Sequence, residues 1–231
     1  MQKNTLIGGI GGLVIGLIIG FVVANSINRD AINQPMTAQT VSNPQIPNQT
    51  TADIKPQQPQ GGKLPQINEI LEKAEKEPNN FDAQIKAAEL HAQIQRFDKA
   101  AEYYEKASKI KPADYDIIVK TANAYFDAKM YEAAEKWYSQ ALQKNADDIN
   151  VRTDLGITFI ERATPDYDRA IKEFQTSLEK NPKHEPTLYN LGIAYFKKGN
   201  TEEFQKVLQK LEEINPNSEL TKKLRQATAQ K

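Results

Sequence analysis

Cysteine is absent from the 231 residues, which excludes disulfides, thiolate metal sites and a cysteine nucleophile and leaves the redox compartment open. Neither sign of charge is in excess: 30 Lys and Arg face 30 Asp and Glu, so tight binding to a nucleic-acid backbone is not expected. No phosphate-loop string, zinc-protease helix or serine nucleophile elbow occurs anywhere in the chain. The glycine-rich GGIGG at 8–12 lies inside an apolar run and does not follow a strand. Acidic pairs such as Asp147 with Asp148 and Glu202 with Glu203 fall at helix starts, where they complement the helix dipole. Catalysis, a cofactor and a metal site are therefore not expected.

Aromatics are lacking between Phe21 and Phe81, and this gap divides the chain into three parts. Residues 6–24 hold no charge or strongly polar side chain over 19 positions, close to the ~30 Å span of a hydrocarbon core at ~1.5 Å per helical residue. They read as a transmembrane helix after a short N-terminal tail at 1–5. Residues 25–63 are rich in Gln, Asn, Thr and Pro, a composition that buries too little apolar surface to fold, and they read as a disordered linker. From residue 64 charged and aromatic residues return together, with 26 basic against 28 acidic side chains, in a segment long enough for one continuous core.

This last part repeats itself. DLGITFIERA at 154–163 and LYNLGIAYFKKGN at 188–200 share a small residue followed three positions later by an aromatic, and TANAYFDAKM at 121–130 matches them. Copies starting at Phe81, Tyr115, Ile149 and Glu185 bring Ala88, Ala122, Gly156 and Gly192 to the eighth position. The eleventh then holds His91, Tyr125, Phe159 and Tyr195; the twentieth holds Ala100, Ala134, Ala170 and Phe204; the twenty-fourth holds Tyr104, Tyr138, Phe174 and Leu208. The period is 34, with two extra residues near Thr164 and Pro165 in the third copy. Each copy shows two helical stripes, a short turn and a helix-stopping proline at 112, 182 or 216, with Ala146 in that place in the second. This predicts four helix hairpins over 81–114, 115–148, 149–184 and 185–218. The small eighth residue is expected to let the second helix of each hairpin approach the first.

Period, position and residue type together resemble the tetratricopeptide repeat family. The resemblance implies an all-α, right-handed superhelical solenoid over residues 64–231. A half-repeat helix at 65–77 would precede the four hairpins, and a solvating cap helix at 218–228 would close them. His91 departs from the usual tyrosine and Phe204 from the usual alanine, which places tight packing of the last hairpin in question. His184 falls in an inter-repeat turn.

The family's first helices line a concave face that commonly receives an extended peptide. Carried over by position, the groove residues are Lys86, Lys120, Asn123 and Phe126 in the first two copies and Ile157, Tyr189, Asn190 and Phe196 in the last two. Asparagine can pair with a peptide backbone and aromatics can grip side chains. A second reading puts Ile157, Ile193 and Phe196 in the hairpin or inter-repeat core. The carboxylate clamp of chaperone-tail receptors is absent, because its positions carry Ile85, Glu89, Lys120, Asn150 and Asp154.

Gly8, Gly12, Gly16 and Gly20 form a stripe along the predicted membrane helix, suited to close packing on another helix. A cleaved secretory signal ending at Ala24 is the rival account. Lys3 before the span and the scarcity of basic residues after it lean toward a bacterial inner-membrane anchor with the repeats on the exported side. The resulting expectation is a single-pass, membrane-anchored scaffold that binds a protein or peptide client and no nucleic acid. The alternative is a structural protein that forms homo-oligomers through the glycine stripe and the repeat surfaces.

Overall fold

The computed structural model describes residues 63–228, and these form ten α-helices with no strand among them. The expected membrane helix at 6–24, its glycine stripe and nearly all of the 25–63 linker lie outside the described residues. No described helix is long and apolar enough to cross a membrane.

The first helix, α1 (Lys63–Lys76), is followed by four hairpins. These are α2 (Phe81–Gln93) with α3 (Phe97–Ile110), α4 (Tyr115–Asp127) with α5 (Tyr131–Lys144), α6 (Ile149–Glu161) with α7 (Tyr167–Lys180), and α8 (Glu185–Lys198) with α9 (Thr201–Ile214). A last helix, α10 (Glu219–Thr228), closes the array. Each helix packs on its neighbours in sequence, and α10 also lies against α8.

Short polar side chains start the helices. Asn80 Oδ1 accepts the Ala83 amide at 3.1 Å, Asp114 the Ile117 amide at 3.3 Å, and Asp148 the Val151 amide at 3.0 Å. Each satisfies a donor that the first turn leaves without an intrahelical partner. Ser218 does the same for α10, accepting from Thr221 at 3.1 Å.

The turn inside a hairpin is equally regular. Gln95, Lys129 and Gly199 all sit at position fifteen with φ of 59°, 60° and 83°. Behind each, a 6→1 amide bond closes the helix: Arg96 to His91, Met130 to Tyr125 and Asn200 to Tyr195, at 2.8, 2.9 and 2.9 Å. This is the left-handed helix stop that glycine adopts without steric cost. Only the fourth repeat uses glycine there. In the third repeat the two extra residues replace the motif: Arg162 is extended and the Asp166 amide reaches Phe159 O at 2.9 Å.

The core follows the repeat positions. Ala88, Ala122, Ala100, Ala134 and Ala170 are fully buried, as are Tyr138 and Phe174. A Cβ on Gly156 would lie 2.5 Å from the Phe174 ring, so the second helix of that hairpin does occupy the missing side chain's space. Gly192 behaves differently from the expectation for it. Its absent Cβ would meet Leu224 of α10 at 2.7 Å, so it accommodates the closing helix and not its own partner. Phe204 is buried and lies against Phe196 with ring centroids 5.6 Å apart, so the larger residue is packed within the last hairpin. Successive repeats are also clipped by polar bonds between equivalent positions. The Tyr125 hydroxyl donates to Glu105, and Gln175 Nε2 donates to the Tyr195 hydroxyl at 3.1 Å.

Candidate functional site

Position along the solenoid decides how much of each first helix remains accessible. In α2, Lys86 and Glu89 are exposed and Ile85 is half-buried, and in α4, Val119, Lys120 and Asn123 are half-buried. In α6 the run from 153 to 160 is buried throughout, and in α8 the run from 187 to 195 is buried throughout. A hollow of about 690 Å³ opens over α2, α4 and the first turn of α6.

Its apolar lining comes from Phe81, Ile85, Tyr115, Ile117, Val119 and Val151. Five carboxylates border it, those of Asp82, Glu89, Asp114, Asp116 and Asp148, against the two ammonium groups of Lys86 and Lys120. Several of these groups are held in place. Lys120 Nζ lies 3.4 Å from Glu89, Asp148 accepts the Tyr115 hydroxyl at 2.6 Å, and the Lys111 ammonium sits 3.7 Å above the Phe81 ring. Burial and the Asp148 carboxylate both hold the Tyr115 phenol protonated, well above its ordinary range.

Asn123 has the most defined geometry of the lining. The buried Tyr138 hydroxyl donates to its Oδ1 at 2.7 Å, which fixes the amide and turns Nδ2 into the remaining donor.

Of the residues expected in a groove, the structure brings Lys86, Lys120 and Asn123 together in this hollow. Phe126 is not in its lining; it is buried and meets Tyr131 edge-on at 5.5 Å. Ile157, Tyr189 and Asn190 are 1%, 4% and 2% exposed, so they present almost no surface. Asn190 Nδ2 is used within its own helix, donating to Pro186 O at 2.8 Å, and burial pushes the Tyr189 phenol up to about 12. Phe196 is half-buried beside Phe204. A hydroxyl pair joins the last two repeats at the same level, Thr153 to Thr187 at 2.6 Å, and His184 Nδ1 lies 2.7 Å from Thr187 Oγ1.

Repeat position alone does not single out Phe81, Tyr115, Asp114 or Asp148 as lining residues. The signal for the last two was present: an aspartate directly before an apolar helical stripe is an N-cap, and N-caps of successive first helices share one edge of the groove.

Among the described residues no group of three or more His, Asp or Glu is arranged to hold a metal ion.

A family profile described as tetratricopeptide repeat matches residues 95–153 and 163–227, and a second of the same description matches 64–115. The chain belongs to the tetratricopeptide repeat family. Solved structures agree on the fold. One described as the crystal structure of MamA protein superposes with TM-score 0.57 at 20% identity, covering 65% of this chain and 81% of that one. MamA 41-end from Desulfovibrio magneticus RS-1 superposes with TM-score 0.58 at 12% identity, covering 87% of this chain and 97% of that one. Comparison with curated proteins returns no match.

Proposed function

We propose that the chain is a non-catalytic scaffold whose open groove over the first two repeats holds a polypeptide partner. The observation that carries this reading is the 690 Å³ hollow itself, an apolar floor with a polar rim set on rigid helices. Its length across three consecutive first helices suits an extended chain. Membership in a family built of stacked helix pairs supports the same conclusion, since such arrays use their concave side for binding. Residues 6–24 anchor the scaffold in a bacterial inner membrane, and the segment after them tethers the repeats on the exported side. The support for this part is the 19-residue uncharged run in the sequence.

A photo-crosslinking amino acid placed at Asn123, inside the hollow, and at the exposed Gln143, outside it, tests the scaffold reading in cells. The expected result is an adduct with a different polypeptide from position 123 and none from 143. Equal adducts, or adducts only with further copies of this chain, contradict it. Partition of the full chain into the membrane fraction, lost when residues 1–24 are deleted, tests the anchor.

A further inference from the structure

We infer that the partner segment held by the open groove is basic, with lysine or arginine side chains set between apolar ones. The inference rests on the scaffold reading above and names the chemistry of its ligand. The apolar floor formed by Ile85, Ile117, Val119 and Val151 requires an apolar component. The sign of the rest follows from the rim.

Glu89 and Lys120, 3.4 Å apart, largely answer each other. Asp114 and Asp148 cap the helix starts, where the positive helix ends offset part of their charge. Asp82 and Asp116 lie in the first turns of α2 and α4 and feel the same helix ends, but neither accepts a capping bond. They occupy the second position of successive repeats, both line the hollow, and neither makes an ion pair among the described residues. Lys86 is the one lining cation in the same condition.

A basic ligand therefore meets a majority of carboxylates, two of them with no countercharge, whereas an acidic or phosphorylated one meets a single unanswered lining ammonium, Lys86, besides that of Lys111 over the Phe81 ring. Asp82 and Asp116 are exposed at the rim, so they act through solvent, drawing basic partners in and turning acidic ones away in a salt-dependent manner. The groove also supplies what a main chain needs. With Oδ1 committed to Tyr138, Asn123 offers its Nδ2 hydrogens to a backbone carbonyl of the guest.

The test is selection from a random dodecapeptide library displayed on phage, panned against the full chain in detergent. Recovered clones are then compared on the wild type and on the D82N/D116N double variant, with circular dichroism confirming that the variant folds. The expected outcome is enrichment of lysine or arginine flanked by apolar residues. Affinity should fall at least threefold on the double variant and at least threefold between 50 and 500 mM salt. Enriched peptides that are acidic or uncharged, but are still lost when Val119 is changed to Glu, overturn the charge assignment and leave the polypeptide-binding reading standing. Recovery of no peptide that depends on Val119 or Asn123 overturns both.

Discussion

The first two repeats and the last two have the same architecture and treat the same slots differently. Position nine is Asn123 in the second repeat, half-buried and bordering open space, and Ile157 in the third, with almost no accessible surface. Position six is Lys120 in the second and Asn190 in the fourth, the one at a groove and the other closed into its own helix. A repeat position fixes where a side chain points relative to its hairpin. Whether that direction ends in solvent or in packing depends on what stands opposite, which differs from one end of the array to the other. The N-terminal half thus keeps a polar, accessible concave face, and the C-terminal half spends the equivalent residues on cohesion.

The largest effect that sharpens this contrast is expected from overpacking the C-terminal half. Gly156→Leu forces atoms into the volume of the buried Phe174 ring and should destabilise the domain by about 3 kcal/mol or more, read from chemical denaturation. Gly192→Leu meets the flexible end of Leu224 on the closing helix instead. It should cost less, and hydrogen exchange should locate the loss in residues 219–228.

Truncating one apolar side chain of a first helix in each half comes next. Ile157→Ala should cost about 2–4 kcal/mol, as a cavity in a packed site does. Val119→Ala, at the half-buried groove floor, should cost about 1 kcal/mol or less and reveal itself mainly as weaker partner capture. Equal losses of stability at the two sites would erase the distinction.

Acid should act through the histidines. Burial holds both His91 and His184 below their ordinary range, so near and below pH 6.5 the unfolded chain binds protons that the folded one refuses. Stability is thus greatest above that pH and declines as pH falls through it. The melting temperature should drop between pH 7.5 and 5.5, and His184→Asn should remove part of the drop.

The smallest effect expected is a gain. Gln95→Gly and Lys129→Gly place glycine where φ is already positive, as Gly199 does naturally. Each should stabilise by a few tenths to about 1 kcal/mol without touching the groove.

Much of the fold was legible in the sequence because the residues that set it act locally. The spacing from Phe81 to Tyr115 and Ile149, the aspartates before the second and third hairpins, and the small residue at position eight each have a short-range cause. Gly156 shows the reasoning working, since its missing side chain admits the helix it was expected to admit. Gly192 shows where it stops. The same position faces a different neighbour at the end of an array, and no local pattern says so. The groove shares that limit. Lys86, Lys120 and Asn123 could be placed by counting, whereas the burial of Ile157, Tyr189 and Asn190 is a property of the assembled solenoid. Phe204 is the converse case: a departure from the repeat pattern that packs well because Phe196 lies beside it.

Because the chain contains no cysteine, a single introduced thiol reports accessibility directly. Maleimide labelling rates of the folded chain carrying Lys86→Cys, Asn123→Cys, Ile157→Cys or Tyr189→Cys, each relative to its unfolded rate, test the division of the concave face. The account predicts rapid modification at 86 and 123 and rates at least about a hundredfold slower at 157 and 189, as protection by stable packing requires. Comparable rates at all four positions would contradict it.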